Sequence, residues 1–454
     1  MRKTITAIAI ILPLLSAAQD APRPESVAPL MTTAWGQDAP YNNLCPEYAP
    51  GRHCKTSCVA TAMAQVMRYH RYPARGIGKK SIQWKYGSLS ETLTADFAAT
   101  EYQWDLMLDS YTGQYTDAQA DAVATIMYQC GIAADVEYTP ASGAYIDDAF
   151  RAAIDHFGYA RESVIADREY FDDEVWAELV MDAIAAGYPV YYGGYTSSYL
   201  GHAFVIDGYD RRGYVHVNWG FGSSSDGYYP LSGLKPYVYG QSAMLFYPAK
   251  PESGQSWMVC SSNGVSVDGG EVSREDGVLK VNIDLRNYTG YAPSVSFGLR
   301  LVNGKGDVSY LSGQRLRMPD NRYVALEGFT VDASWIDVEE GAFEATPVYR
   351  LTASDPWQPV KLTRTGVPAS FTLTVTSAAL FPSMSRIDEV ESDMSDIQVI
   401  NRCIYVFEPQ REINIYNIHG HSVGKLDSRR LQSPVLPTGV YIVTDGMRTA
   451  KIAL

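Results

Sequence analysis

Residues 201–220 read GHAFVIDGYDRRGYVHVNWG, two runs rich in β-branched and aromatic residues on either side of the turn DRRG. Such runs predict two antiparallel strands joined by a hairpin. Upstream, residues 58–73 read CVATAMAQVMRYHRYP, an Ala- and Met-rich run that predicts a helix ending before Pro73. Helices followed by an antiparallel sheet predict an α+β domain, with a cleft between a helical half and a sheet half.

Three further helices are predicted between these two stretches. One begins with Thr116 as its N-cap, has Gln119 three residues on, and closes at Gly131. The others run near residues 147–157 and residues 172–186, and a glycine follows each. Every segment therefore has a physical start and stop signal.

The second half of the chain is almost wholly strand-like. From about Trp257 to Val375, apolar and polar residues alternate with turn residues at short intervals, which predicts an immunoglobulin-like β-sandwich. Residues 383–395, SMSRIDEVESDMS, are polar and acidic without an apolar period, as in a linker. The last sixty or so residues predict several short strands of a small separate β-domain.

The N-terminus has the pattern of a targeting segment. Arg2 and Lys3 precede an apolar stretch, residues 5–15, and small residues follow at positions 16–18. We expect export, and a protein that is secreted or attached to the cell surface; no later stretch reaches the roughly 20 apolar residues of a membrane span. The predicted boundaries are a signal peptide at 1–18, a short pro-segment or N-terminal extension at 19–32, the α+β domain at 33–250, the β-sandwich at 251–380, a linker at 381–396 and the C-terminal β-domain at 397–454.

Composition excludes some partners. The chain of 454 residues has a formal net charge of -14 and no basic stripe, so nucleic acid is not an expected partner. Six cysteines in a chain of this length do not form a disulfide scaffold. Cys45 and Cys54 could bridge each other or remain two unpaired thiols, and their spacing does not decide between these alternatives.

Cys58 is the first candidate for chemistry. A helix start directs unpaired backbone N–H groups outward and adds a partial positive charge, which favours ionisation of a thiol placed there. The same N–H groups can hold the oxyanion that forms after thiolate attack. The alternative is a small buried thiol that caps a packed helix.

His202 is the second candidate. It lies 144 positions after Cys58, directly behind Gly201, whose missing side chain would let a bound chain approach. Pairing across the DRRG turn places Trp219 on the face of His202, as a ring that shields the imidazole, and Asn218 on the other face, as a candidate orienter of lower weight. The alternatives are a histidine satisfied by its surroundings and ordinary sheet packing.

Other chemistries find little support. The sequence has no H-E-x-x-H motif, no G-x-S-x-G motif and no phosphate-binding glycine loop. His419 with His421 would give only two ligands, so no metal site and no cofactor are predicted. His216 is predicted to lie opposite Asp207 as a structural pair. The sequence gives no support for a pair of glycosidase carboxylates.

Four blocks resemble, in order, the motifs of the streptopain family of papain-like cysteine peptidases: PLMTTAWGQDAPYNNLCP, SCVATAMAQVMRYHRYPARGIG, VYYGGYTSSYLGHAFVIDGYD and YVHVNWGFGSSSDGYYPLSGL. The resemblance covers about residues 27–248. It implies Cys58 as nucleophile, His202 as general base, Gln37 at the oxyanion site and Asn218 with Trp219 as a supporting pair. It also implies Ser142 and Gly201 as lining of the substrate groove, and cleavage of proteins with a hydrophobic residue just upstream of P1.

Two departures from the family pattern stand out. The usual glycine before the nucleophile is Ser57 here. The family's pro-segment of about a hundred residues is replaced by little more than a dozen, which puts control of premature activity in question. The C-terminal module resembles sorting domains of the type IX secretion pathway, which implies outer-membrane secretion machinery as a partner; a proteinaceous inhibitor is another candidate partner.

The resulting hypothesis is a secreted cysteine endopeptidase that acts on protein or peptide substrates through a Cys-His dyad and an acyl-enzyme. The rival from another class is a catalytically inactive adhesive or binding protein on the cell surface. A third hypothesis is transglutaminase or amidase chemistry on the same Cys and His pair, which would change amides without cutting the chain.

Overall fold

The computed structural model describes residues 23–251, 256–267, 271–273, 278–332 and 340–376, together with six strands beyond residue 396 and residues 433 and 436. The chain divides into two compact units, Met1–Ala378 and Ala379–Leu454. Within the first unit we call residues 23–251 the α+β region and residues 256–376 the β region. The predicted signal peptide and the predicted linker lie outside the described residues.

Four α-helices lie in the α+β region; side chains cap the starts of three of them, whereas the helix that begins at Ile146 has no side-chain cap. Thr116 caps the second helix in a reciprocal capping box with Gln119, and the side chain of Asp172 caps the fourth by accepting from the Val175 N–H group. The helices are α1 (Cys58–His70), α2 (Asp117–Ala133), α3 (Ile146–Asp155) and α4 (Asp173–Ala185).

The predicted end of α2 at Gly131 is wrong, because the helix continues to Ala133. Gly131 is a packing position: a Cβ there would collide with the phenol of Tyr138. Its small size therefore serves contact between two buried groups and does not terminate the helix.

The strands of the α+β region form two hairpins and one central sheet. The hairpins are β1 (Glu47–Ala49) with β2 (Arg52–His53), and β3 (Lys79–Tyr86) with β4 (Leu89–Asp96). The six-stranded sheet has the order β5-β10-β6-β7-β8-β9 and pairs antiparallel throughout. Its strands are β5 (Val164–Asp167), β6 (Val190–Tyr195), β7 (Gly201–Tyr209), β8 (Tyr214–Asn218), β9 (Gly227–Pro230) and β10 (Tyr239–Leu245).

Both faces of this sheet are buried. Alternate residues of β7 divide between two cores: Ala203 and Val205 pack with α1, α2 and α3, whereas Phe204 and Ile206 pack with α4. Because both faces are covered, β7 reads as a nearly continuous apolar run after His202. The prediction of an α+β fold is confirmed.

The β region consists of strands about one core. Eight of them follow the path β12-β14-β17-β16-β15-β18-β21-β13, β19 joins β18, and β11 pairs with β20. The immunoglobulin-like arrangement stays a prediction. The strands are β11 (Cys260–Ser261), β12 (Val265–Val267), β13 (Glu271–Ser273), β14 (Val278–Ile283), β15 (Ser294–Asn303), β16 (Val308–Arg317), β17 (Phe329–Asp332), β18 (Gly341–Arg350), β19 (Gln358–Pro359), β20 (Lys361–Leu362) and β21 (Phe371–Thr376).

The second unit is a small β module. Its described strands form a pair, β22 with β23, and a four-stranded sheet of order β25-β24-β26-β27. Buried side chains such as Ile404, Ile415 and Val443 form its core. Its bounds are β22 (Ile397–Ile400), β23 (Cys403–Val406), β24 (Ile413–Asn417), β25 (Ser422–Leu426), β26 (Val440–Thr444) and β27 (Thr449–Ala453). Its role as a sorting domain stays a prediction.

Among the residues that the structure describes, none of the helices is both long and apolar enough to span a bilayer.

Candidate active site

Cys58 is the first residue of α1 and is half-buried. Ser57 precedes it as the N-cap, and the Ser57 hydroxyl accepts a hydrogen bond from the Val59 N–H group at 3.2 Å. Backbone N–H groups of Ala203, Val59 and Cys58 lie at the sulfur. The nucleophile candidate therefore lies where the helical half meets strand β7.

His202 is the second residue of β7 and pairs with Gly194 of β6. The Nε2 atom of its imidazole lies 2.9 Å from the carbonyl oxygen of Trp219. Because a carbonyl oxygen only accepts hydrogen bonds, Nε2 carries the proton of the neutral ring. Nδ1 is then the nitrogen with a free lone pair, as a general base requires.

Four aromatic rings surround this imidazole, and one of them, Phe204, is stacked on it at a centroid distance of 5.9 Å. The ring of Phe221 is stacked on it at a centroid distance of 4.6 Å, and Tyr237 is tilted at 5.0 Å. Trp219 is stacked at 6.1 Å, which agrees with the predicted position of this ring on the His202 face. His202 itself is only 6% exposed, so its surroundings are largely apolar.

Burial determines the direction of both pKa shifts. It raises the pKa of the Cys58 thiol, while the surrounding N–H groups, first that of Ala203, act in the opposite direction. Burial lowers the pKa of His202 to about 4, against the hydrogen bond to Trp219, which raises it. The helix start thus does not by itself lower the thiol pKa, because burial outweighs it.

The two candidate residues line one cavity of about 400 Å³. Its walls come from the start of α1, from residues 141–146 before and at the start of α3, and from the ends of β6 and β7. Of the sequence-predicted residues, the structure brings together Cys58, His202, Ser142 and Gly201 along this cavity.

Ser142 is buried and structurally engaged. Its hydroxyl donates to the Thr139 carbonyl oxygen at 2.8 Å and accepts from the Thr139 N–H group at 2.9 Å. The hydroxyl thereby closes a tight turn that shapes the cavity wall. Gln37 is half-buried. Its backbone carbonyl oxygen accepts a hydrogen bond of 3.3 Å from the backbone N–H group of Thr56, which lies two residues before Cys58.

Asn218 does not lie against the imidazole through its side chain. Its carboxamide exchanges two hydrogen bonds of 3.1 Å with Gln65 of α1 and donates to the Thr33 carbonyl oxygen at 2.7 Å. Its oxygen also accepts from the Gly220 N–H group at 3.1 Å. In the structure, the backbone carbonyl oxygen of Trp219 therefore orients the imidazole. The side chain of Asn218 instead joins β8 to α1.

The predicted hairpin register is correct at Val205 and Asn218 because two deviations from the prediction cancel each other. The turn is one residue longer than predicted, since the Asp210 N–H group bonds the carbonyl oxygen of Tyr214 at 2.9 Å. Strand β7 then bulges at Asp207, which restores the predicted pairing of Val205 with Asn218. His216 consequently lies opposite Gly208 rather than Asp207, but its Nδ1 still lies 2.6 Å from the Asp207 carboxylate.

Sequence reasoning missed Gln65, Phe221 and Tyr237. Gln65 carried a usable signal: it is a polar residue seven positions after Cys58, two helical turns along the same buried face, and it is fully buried. Phe221 and Tyr237 lie outside the strands, so no periodicity indicated their direction.

Two further predictions concern metals and thiols. In the described part of the chain, no group of three or more His, Cys, Asp or Glu side chains is arranged to hold a metal ion. Cys45 and Cys54 are both buried and carry free thiols in the structure.

The chain is similar in sequence to known proteins. Streptopain of Streptococcus pyogenes is 34% identical over 220 residues, which cover 45% of this chain and 55% of streptopain. The thiol protease/hemagglutinin PrtT of Porphyromonas gingivalis is 28% identical over 304 residues, or 62% of this chain and 34% of that protein. The chain spans about half the length, or less, of these curated relatives.

A solved structure of active interpain A cysteine protease from Prevotella intermedia is 39% identical, covers 48% of this chain and 94% of that chain, and has a TM-score of 0.46. Residues 35–229 match the Peptidase C10 family.

Proposed function

We propose that the protein is a secreted cysteine endopeptidase that hydrolyses peptide bonds through Cys58 and His202. The observation that carries the proposal is their meeting in one cavity, with the imidazole held at Nε2 by the Trp219 carbonyl oxygen. That contact leaves Nδ1 as the proton acceptor, and a general base with a fixed tautomer is what thiol attack on a carbonyl requires.

In the first half of the reaction, Nδ1 of His202 takes the proton of the Cys58 thiol and the sulfur attacks the peptide carbonyl carbon. The Cys58 N–H group and the Gln37 side-chain amide donate to the resulting oxyanion. The imidazolium then protonates the leaving amine as the C–N bond breaks. The products of this half are a free amine and a thioester on Cys58.

In the second half, a water molecule attacks the thioester while Nδ1 accepts its proton. The tetrahedral intermediate collapses with cleavage of the C–S bond, and the imidazolium returns its proton to the sulfur. A carboxylic acid leaves, and the thiol and neutral imidazole are restored. Atoms and protons balance without a metal or an organic cofactor.

The cavity fits an extended polypeptide substrate. Gly201 exposes backbone at the edge of β7, and the turn closed by Ser142 forms the opposite wall. We infer that proteins or peptides are the substrates, in keeping with the thiol protease and streptopain relatives. Asn218 and Trp219 act as positioning residues, since one joins α1 to β8 and the other holds the imidazole.

Export and sorting form part of the same proposal. The predicted signal peptide supports secretion or surface attachment, and the C-terminal strands support a sorting module that engages outer-membrane secretion machinery. We also propose that the β region is an immunoglobulin-like sandwich. A proteinaceous inhibitor is a further proposed partner.

Active-site labelling tests the proposal. Iodoacetamide is expected to modify wild-type protein at Cys58, and casein is expected to be cleaved under reducing conditions. Cys58→Ala should lose both properties, with kcat/KM reduced by about 10⁴-fold or more, and His202→Ala should lose cleavage. Cys54→Ala is the matched control, because it removes a neighbouring thiol and should retain both.

The rival hypotheses predict other outcomes. An inactive adhesive or binding protein would show neither Cys58-dependent labelling nor cleavage. Transglutaminase or amidase chemistry would alter the mass of a peptide substrate at an amide group while its chain stays intact, which mass spectrometry would detect. Either result would remove the endopeptidase assignment.

A further inference from the structure

A buried arginine of the β region contacts the α+β region beside the cleft. Arg322 lies in the loop between β16 and β17 and is 7% exposed. Its Nε atom donates to the Asp167 carboxylate of β5 at 2.5 Å, and Nη2 donates to the same carboxylate at 3.2 Å. This bidentate ion pair satisfies only part of the guanidinium group.

The rest of the guanidinium reaches a second carboxylate on another element. Nη1 donates to Asp147 Oδ1, and Nη2 lies 3.3 Å from Asp147 Oδ2. Asp147 is in the first turn of α3, whereas Asp167 belongs to the central sheet. Arg322 therefore bridges a helix start to a strand, which one ion pair alone would not do.

The loop that presents Arg322 is itself held. Arg286 donates to the carbonyl oxygens of Arg322 and Tyr323 at 3.2 Å each. Asn287 donates to the carbonyl oxygen of Pro319 at 2.9 Å, and the Tyr323 N–H group bonds Asn321 Oδ1 at 2.9 Å. The guanidinium thus projects from a loop fixed by the body of the β region.

Helix α3 carries this contact to the proposed active site. Ile146, the neighbour of Asp147, lines the cavity that contains Cys58 and His202. Its side chain packs so closely on Gly193 of β6 that a Cβ there would lie 3.3 Å from Ile146 Cγ2. The next residue of β6, Gly194, pairs with His202.

We propose that Arg322 is a positioning residue for substrate binding: by holding Asp147, the β region fixes the cleft wall formed by residues 145 and 146. The inference rests on the proposed peptidase function of the cleft. It assigns the β region a part in recognising polypeptide substrates, although none of the residues lining the cavity comes from it.

The decisive variant is Asp147→Asn, which weakens the tie to α3 while the ion pair of Arg322 with Asp167 remains. We expect KM for a peptide substrate to rise about fivefold with kcat within twofold, since the wall binds substrate and does not touch the reacting atoms. The rate of iodoacetamide labelling of Cys58 should stay unchanged, because so small a reagent does not need this wall.

Three companion variants test the route through Arg322. Arg322→Gln should raise KM by a similar factor, and the double variant should show no additive increase, because both changes cut the same connection. Asp147→Glu, which restores a carboxylate, should recover most of the wild-type KM.

Two controls separate positioning from general loosening. Asp148→Asn removes a carboxylate from the same helical turn and leaves the contacts of Arg322 in place. Thr365→Val breaks a different contact between the regions, the 2.6 Å bond of its hydroxyl to Asp172 at the start of α4. Neither should change KM by more than twofold.

An unchanged KM in Asp147→Asn, or an equal rise in Thr365→Val, would overturn the proposal. Failure of the peptidase assignment looks different, because wild-type protein would then show no Cys58 labelling and no turnover.

Discussion

Ser57 occupies an unusual backbone conformation directly before the proposed nucleophile Cys58, with φ 83° and ψ 143°. Residues other than glycine rarely adopt positive φ of this kind, and the cost is of order 1–3 kcal/mol. Its hydroxyl offsets part of that cost by capping the Val59 N–H group. Ser57 therefore destabilises the start of α1 through its backbone conformation and stabilises it through its hydroxyl cap.

This opposition can be measured with two substitutions. Ser57→Gly relieves the conformational cost and loses only a few tenths of a kcal/mol of capping, so we expect stability to rise by about 1 kcal/mol. Ser57→Ala keeps the strain and loses the cap, so stability should fall by about 1 kcal/mol. Thermal unfolding followed by tryptophan fluorescence checks the order; a Gly variant less stable than the Ala variant would contradict it.

Cys58 and His202 could be proposed as the reactive residues because a local signal at each joins the resemblance of the surrounding sequence blocks to the streptopain family. Cys58 lies at a helix start, and His202 follows a glycine at the start of a strand. The acceptor for Nε2 of His202 was not predictable from the sequence. It is a backbone carbonyl oxygen, a group that every residue carries, so only the position of Trp219 in the fold selects it. The direction of Asn218 depended on Gln65, which lies 153 residues away in sequence.

At the scale of elements, the bulge in β7 determines the register of the site. Asp207, 1% exposed, lies in the bulge, where its carboxylate accepts from the Met31 N–H group at 2.9 Å and contacts His216 Nδ1 at 2.6 Å. The N-terminal segment also pairs Val27 with Tyr209 of β7. A hairpin rule that counts residues from the turn cannot anticipate a bulge stabilised by so distant a segment.

Removing this carboxylate should release the N-terminal segment. Asp207→Ala leaves the Met31 N–H group and the His216 imidazole without their acceptor. We therefore expect a loss of about 2 kcal/mol of stability and faster proteolysis within residues 23–32. Arg211→Ala is the control from the same hairpin, since its ion pair with Glu25 joins two side chains that are each 80% exposed. Equal proteolysis of the two variants would argue against this role of Asp207.

At the scale of the whole first unit, the two regions share buried structure. Phe171 of the α+β region packs at ring-centroid distances of 5.6 Å from Trp257 and 5.4 Å from Tyr288. These rings belong to the same core as the α4 face of the central sheet. Alternation along the sequence predicted the strands of the β region, but it carried no information about which face meets which partner.

Burial of two histidines within the α+β region has a consequence for stability in acid. Burial lowers the pKa of His70, in the last turn of α1, to about 4, and the pKa of His202 is likewise about 4. In the unfolded chain both would titrate near 6.5. Between these values the unfolded state binds more protons than the folded state, so stability is fully present above about pH 6.5 and is lost as the pH falls toward 4.

His70→Gln isolates one of these contributions outside the active site. We expect the variant to gain about 1 to 2 kcal/mol relative to wild type when the pH falls from 7 to 5, because it removes the proton uptake of one buried imidazole on unfolding. All eight tryptophans precede residue 379, so their fluorescence reports on the first unit alone during thermal unfolding. A difference in Tm between variant and wild type that stays constant from pH 8 to pH 5 would show that His70 titrates alike in the folded and unfolded chain.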